Sequence, residues 1–130
     1  MVMPKVLLVD DDPDFVRIHK AYLEHAGFQV TASYSGEEGI SAALADKPNV
    51  VVLDYMMDRP TEGSFVALEF KENPRLRDIP ILLVTSVRSK HPWWGVKQSD
   101  AYLPVEAILD KPVSPEKLVA EVSRLMEHRG

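Results

Sequence analysis

The sequence predicts an α/β protein, a three-layer sandwich in which helices cover both faces of a five-stranded parallel sheet. Short apolar runs alternate along the chain with longer segments in which apolar residues recur at helical spacing, an order typical of parallel sheets. The central run, residues 50–53, is wholly apolar and ends at Asp54, as in a strand that is buried on both faces. Because such sheets bind ligands at the carboxyl ends of their strands, we expect Asp54 at the edge of a site.

The first strand is predicted at Lys5–Val9, with a helix after it. Asp12 fits the N-cap position because its carboxylate can accept hydrogen bonds from the first turn. Pro13 suits the first turn itself, and Gly27 is a typical stop just past a helix end. The apolar residues at helical spacing that indicate this helix are Phe15, Ile18, Tyr22, Leu23 and Ala26.

The second strand is predicted at residues 28–32. A second helix follows, opened by a capping box at Ser35 and ended near Pro48. After the Asp54 strand and a loop, a third helix is indicated, which the Asn73–Pro74 pair closes. Its apolar residues are Phe65, Val66, Leu68 and Phe70.

The last part of the chain contains two more strands, at residues 79–84 and 107–109. Prolines and a glycine interrupt any long helix between them. The final helix has Ser114 as N-cap and Pro115 in its first turn. Its apolar residues are Leu118, Val119, Val122, Leu125 and Met126.

Composition excludes several classes of protein. The 130 residues include no cysteine and carry a net charge of −5, so we expect no disulfide or thiolate chemistry and no direct nucleic-acid binding. No apolar run is long enough to span a membrane. We expect a cytoplasmic protein with one domain over residues 1–130 and no effector domain. The histidines, which show no metal or phosphotransfer pattern, are expected at the surface: His19, His25, His91 and His128.

Chemically useful groups follow four of the five strands. Asp10 and Asp11 come after the first strand, Asp54 ends the third, and Lys111 comes after the fifth. The fourth strand runs into Thr85, which Ser86 follows as a rival hydroxyl. Parallel strands bring their carboxyl ends to one edge, so we expect these groups to converge there.

This pattern resembles the response-regulator receiver domain, the CheY-like phosphoacceptor module of two-component signalling. The resemblance extends from Lys5 to about Glu127. It implies a flavodoxin-like fold with strand order 2-1-3-4-5. It also implies that the chain accepts a phosphoryl group from a sensor histidine kinase or a phosphotransfer protein. The chain would then signal to an unknown downstream protein, acting itself as a monomer or a phosphorylation-linked homodimer.

The resemblance also implies roles for individual residues. Mg²⁺ would be bound by Asp11, by Asp54 and by the backbone carbonyl of Met56, with Asp10 acting mainly through water. Three converging carboxylates repel each other, and a hard divalent cation relieves that repulsion. Asp54 would then be the nucleophile, while the phosphoryl oxygens would contact Lys111 and Thr85. A cis peptide bond is implied between Lys111 and Pro112.

Three features depart from the family pattern. The loop after Asp54 carries Asp58 where a proline is usual, and its glycine, Gly63, comes one residue late. Ile108 occupies a position where an aromatic switch residue is common. The segment between the fourth and fifth strands is several residues longer than usual and contains Trp93 and Trp94. The two tryptophans are expected either to pack as a lid on the core or to serve as an anchor for a partner protein.

These departures leave another function open, that of a receiver-like protein-binding module that works without phosphorylation. Two further classes fit less well. A phosphoaspartyl hydrolase usually has a second aspartate two residues after the nucleophile, where this chain has Met56. A flavodoxin-like nucleotide binder needs a phosphate cradle after the first strand, and the acidic residues there would repel phosphate.

Overall fold

A computed structural model describes residues 3–55, 62–85 and 105–127 of the chain. In these ranges, one parallel sheet has the strand order β2-β1-β3-β4-β5. Its strands are β1 (Lys5–Val9), β2 (Gln29–Ser33), β3 (Val50–Asp54), β4 (Ile81–Thr85) and β5 (Ala107–Asp110). The helices are α1 (Pro13–His25), α2 (Gly36–Ala45), α3 (Glu62–Glu72) and α4 (Pro115–Glu127). The predicted fold class and strand order are confirmed.

Two apolar cores lie on opposite faces of this sheet. Alternate residues of a strand point to opposite faces, and β3 shows the result, since Val51 packs in the core with α2 and α3 while Val52 packs in the core with α1 and α4. Every residue of β3 and of β4 is buried. Strands that are covered on both faces in this way hold the residues at their carboxyl ends in fixed positions.

The predicted helix ends agree closely with the structure. Asp12, Ser35 and Ser114 each accept a hydrogen bond from a backbone N–H in the first turn of the helix that follows. Gly27 adopts a φ of 103° just past α1, a left-handed conformation that glycine adopts without steric cost. α2 ends at Ala45, shortly before the predicted position.

Strand limits differ from the predictions by one or two residues. β2 begins and ends one residue later than predicted, and β5 continues to Asp110. β4 begins at Ile81, because the N–H of Ile79 bonds to the carbonyl of Leu76 in a turn and Pro80 has no N–H to offer the sheet.

The surface position predicted for His19 is wrong. The buried residues of α1 are Val16, His19 and Leu23. Because they are spaced by three and four positions, they also form one stripe along the helix. Ile18 and Tyr22, two of the residues that indicated the helix, are 41% and 46% exposed. Because a histidine occupies the buried stripe, the spacing of apolar residues indicated a buried face about one position away from the true one.

The other histidines and the third helix complete this comparison. His25 is exposed as predicted, whereas His91 and His128 lie outside the described residues. In α3, Val66 and Phe70 are buried, but Phe65 and Leu68 are exposed to solvent.

Across the described residues, no helix combines the length and apolar character needed to cross a membrane.

Candidate functional site

Asp54 is the last residue of the central strand. β3 pairs with β1 on one side and with β4 on the other, and the N–H of Tyr55 continues the pairing by donating to the carbonyl of Val84 at 3.0 Å. The Asp54 side chain is almost completely buried. Its carboxylate is therefore held at a fixed place on the carboxyl edge of the sheet.

Two more carboxylates come to this edge from the end of β1. The N–H of Asp10 donates to the carbonyl of Ser33, at the end of β2, and Asp10 in turn accepts a hydrogen bond from the N–H of Asp12 at 2.9 Å. Asp10, Asp11 and Asp54 each offer an oxygen atom, and these atoms lie within 4.8 Å of one another. Asp10 and Asp54 are buried and Asp11 is not, so the cluster opens to solvent on one side.

Lys111 supplies a positive charge to this cluster. Its Nζ atom lies 2.9 Å from Oδ2 of Asp10 and 3.6 Å from Oδ2 of Asp54. Burial works to lower the pKa of Lys111, but the hydrogen bond to Asp10 and the charges of Asp54, Asp10 and Asp12 together raise it above the ordinary lysine value. The lysine is therefore fully charged at neutral pH, and its charge offsets part of the repulsion among the carboxylates.

The backbone around Lys111 is anchored to β4. The N–H of Lys111 donates to the carbonyl of Thr85 at 2.8 Å, and the Lys111–Pro112 peptide bond is cis, as the family resemblance implied. Thr85 is itself completely buried and pairs in register with Asp110. The structure thus brings five of the six predicted site residues to one edge of the sheet: Asp10, Asp11, Asp54, Thr85 and Lys111.

Several sequence predictions concern residues outside the described ranges. They are the metal-binding carbonyl of Met56, the extra carboxylate of Asp58, the rival hydroxyl of Ser86, and the pair Trp93–Trp94. Ile108, at the usual switch position, is described. It is half-buried on β5 and packs against the core that contains α2 and α3.

Gly63 is a site residue whose role the sequence did not reveal. Its N–H donates to the carbonyl of Tyr55 at 2.9 Å. A Cβ atom at position 63 would lie 2.5 Å from the carbonyl oxygen of Asp54 and closer still to the backbone of Tyr55. Only a glycine lets α3 begin against the end of β3. The spacing of this glycine departs from the family pattern, but spacing alone does not indicate what the residue contacts.

An aromatic pair on α1 also belongs to the site. The ring of Phe15 lies under Lys111, with Nζ 4.5 Å from the ring centroid. The centroids of the Phe15 and His19 rings are 4.1 Å apart. Their spacing of one helical turn was visible in the sequence, but the contact with a residue nearly a hundred positions away was not.

This arrangement is suited to two kinds of chemistry. Clustered carboxylate oxygens are the ligands that hard divalent cations prefer. A rigidly held carboxylate beside a lysine can also act as a nucleophile toward a negatively charged group, since the lysine offsets the charge of the incoming group.

Comparisons with known proteins show the family of this chain. A family model for the response regulator receiver domain matches residues 6–123. The response regulator SaeR of Staphylococcus aureus is 32% identical over 124 residues, which are 95% of this chain and 51% of SaeR. A DNA-binding dual master transcriptional regulator of Synechocystis, RpaA, is 29% identical over 124 residues, which are 95% of this chain and 49% of RpaA.

Among solved structures, the chemotaxis response regulator CheY4 of Vibrio cholerae superposes with a TM-score of 0.80 and 25% identity, covering 95% of this chain and 99% of that one. The chain therefore spans about half the length of the curated relatives it matches and nearly the whole of this structural neighbour.

Proposed function

This chain belongs to the response regulator receiver domain family, and from that premise we propose that it accepts a phosphoryl group on Asp54 from a histidine kinase and signals through protein contacts. The observation that supports the proposal most strongly is the convergence of three carboxylates and Lys111 at one edge of the sheet. Receiver domains are signalling domains and not conventional enzymes. The reactions proposed for this chain are only its own phosphorylation and dephosphorylation.

The proposed transfer is a displacement at phosphorus. A carboxylate oxygen of Asp54 attacks the phosphorus of a phosphohistidine, the new P–O bond forms as the P–N bond breaks, and the leaving imidazole takes up a proton. Lys111 contacts a phosphoryl oxygen as a point charge. The hydroxyl of Thr85 hydrogen-bonds another oxygen, and its buried position lets it report the modification to the core.

We propose Mg²⁺ as the cofactor of this site. The described cluster offers only carboxylate oxygens, which match the preference of Mg²⁺, and we propose that Asp11 and Asp54 bind it directly while Asp10 acts through water. The carbonyl of Met56 stays a predicted third ligand. When bound, the ion supplies positive charge that offsets the charge of the phosphoryl group.

The proposed partners are a sensor histidine kinase or phosphotransfer protein and an unidentified downstream protein, with the chain acting in the cytoplasm as a monomer or a phosphorylation-linked homodimer. RpaA carries DNA-binding in its name, but this chain covers only about half of it. Because the net charge is −5, we propose output through protein contacts and not through direct binding of DNA by these 130 residues.

The proposal is tested by intact-mass measurement after incubation with acetyl phosphate, with and without Mg²⁺. We expect wild-type protein to gain one phosphoryl group only with Mg²⁺, and Asp54→Asn to gain none. Asp14→Asn, which changes an exposed aspartate on α1, is the matched control and should be labelled like wild type. Folded wild-type protein that stays unlabelled while a known receiver is labelled would overturn the proposal and favour the phosphorylation-independent module.

A further inference from the structure

Among the residues that the structure describes, the Lys111 ammonium has contacts of two different kinds. Two are with carboxylates, at 2.9 Å from Asp10 and 3.6 Å from Asp54. The other is with the face of the Phe15 ring, whose centroid lies 4.5 Å from Nζ. This distance is well within the range in which a cation is attracted to the negative face of an aromatic ring. The lysine is thus supported from the side of α1 as well as from the strand ends.

We propose that Phe15 is a positioning residue for Lys111, holding its ammonium toward Asp54 through the aromatic ring. The inference rests on the proposed function. Both carboxylates have other proposed tasks, since Asp54 receives the phosphoryl group and Asp10 lies in the cation cluster. The ring of Phe15 has no such second task, because it neither ionises nor binds a hard cation. It is therefore the contact that can stay constant while the carboxylates change partners.

The ring of His19 packs against the ring of Phe15. The two ring centroids are 4.1 Å apart with 39° between the ring planes, and His19 is only 5% exposed. Its Nδ1 atom has no hydrogen-bond partner in the described part of the chain, which is unfavourable for a buried polar atom. A leucine at position 19 would fill space without that cost, but it would not offer a flat surface to the Phe15 ring.

An ordinary packing role for Phe15 is the alternative, since the side chain is half-buried and borders the core that contains α1 and α4. The two roles require different properties of residue 15. Packing needs apolar volume, which leucine also supplies, whereas support of an ammonium needs a π-face, which tyrosine keeps. Phe15→Leu and Phe15→Tyr therefore form a matched pair of variants.

The first readout is the NMR signal of the Lys111 ε-methylene protons, recorded without phosphodonor or metal. Protons over a ring face are shifted upfield, so we expect an upfield signal in wild type and in Phe15→Tyr, and an ordinary lysine position in Phe15→Leu. Thermal unfolding of the three proteins checks that each is folded. An unshifted lysine signal in wild type would overturn the inference, whatever the phosphorylation experiments show.

The second readout is the rate constant for labelling by acetyl phosphate with Mg²⁺. We expect Phe15→Leu to be roughly fivefold slower, equivalent to about 1 kcal/mol, and Phe15→Tyr to stay within about twofold of wild type. In a Lys111→Ala background, Phe15→Leu should cause no further loss, because its effect passes through the lysine.

The outcomes separate the two proposals. Normal labelling of Phe15→Leu, or an equal loss with and without Lys111, would overturn the positioning role and leave the proposed function standing. Absence of any labelling in wild-type protein would overturn the proposed function and this inference with it.

Discussion

The ammonium of Lys111 donates a hydrogen bond to Oδ2 of Asp10 at 2.9 Å, joining the ends of the first and last strands of the chain. The Asp10 side chain is only 3% exposed, and a carboxylate so deeply buried needs a compensating partner. The same lysine lies 3.6 Å from Asp54. Lys111 therefore shares its carboxylates with any cation that enters the cluster, and this competition has a measurable consequence.

Replacing Lys111 by methionine is expected to strengthen Mg²⁺ binding. The change removes a positive charge that contacts two of the clustered carboxylates, so the affinity should rise by roughly threefold or more, measured by calorimetric titration. Lys117→Met, which removes the same charge from an exposed position on α4, should leave the affinity nearly unchanged. Equal or weaker Mg²⁺ binding by Lys111→Met would show that the lysine and the cation do not share ligands.

Two neighbouring aspartates are expected to respond differently to alanine. Asp12 caps α1, so Asp12→Ala should lower the free energy of unfolding by about 1 kcal/mol with or without Mg²⁺. Asp11 belongs to the carboxylate cluster. If Mg²⁺ binds there as proposed, it should stabilise the wild-type protein, and Asp11→Ala should abolish that extra stability. Denaturant unfolding with and without Mg²⁺ measures both effects. The prediction is wrong if Asp12→Ala is the variant that loses the response to Mg²⁺.

Gly63→Ala is expected to destabilise the fold and to displace the end of β3. The added Cβ would meet the backbone of Asp54 and Tyr55, which cannot move aside as a side chain can. We expect a loss of roughly 3 kcal/mol in the free energy of unfolding together with slower labelling of Asp54.

Gly39→Ala provides the comparison, because the atoms nearest to a Cβ at this position on α2 belong to the side chain of Val9, the closest at 2.8 Å. It should cost less stability than Gly63→Ala, since a side chain yields more readily than the backbone and alanine favours a helix. A Gly63→Ala protein as stable as Gly39→Ala would contradict the close approach of α3 to β3.

His19 is expected to make stability depend on pH. Burial lowers the pKa of His19 below the ordinary histidine value, an effect to which the charge of Lys111 adds and which the charge of Asp10 opposes. As the pH falls through about 6.5, the unfolded chain therefore takes up a proton before the native protein does, and the free energy of unfolding falls. Above that pH the contribution is constant.

Denaturant unfolding between about pH 5 and pH 8 checks this dependence. His19→Leu should lose the part of the slope below about pH 6.5, while His25→Leu, at an exposed position in the last turn of the same helix, should keep it. Parallel curves for wild type and His19→Leu would contradict the prediction.

The elements of the fold could be predicted from the sequence because their signals are local, while the strand order came from the family resemblance. Apolar runs that end in polar residues indicate four of the five strands, and Asp12, Ser35 and Ser114 indicate helix starts that the structure confirms. The convergence of Asp10 and Lys111 also followed, since the parallel order alone brings the strand ends to one edge.

The errors and omissions arose where distant parts of the chain meet. Periodicity did not reveal that α1 buries His19 and exposes Ile18, because two stripes one position apart both have helical spacing. The ring of Phe15 under Lys111 and the backbone of Tyr55 against Gly63 are contacts between elements. Such contacts depend on the exact placement of a helix on the sheet, which hydrophobic spacing does not determine.

The most direct test of the central claim is to map the phosphoryl group to a residue. After labelling by acetyl phosphate with Mg²⁺, borohydride reduces an aspartyl phosphate to homoserine, and tandem mass spectrometry of peptides locates that product. We expect homoserine at position 54 and nowhere else, with Lys111→Ala giving much less of it. Homoserine at Asp10 or Asp11, or none at all under conditions that label a known receiver, would contradict the assignment of Asp54 as the phosphoacceptor.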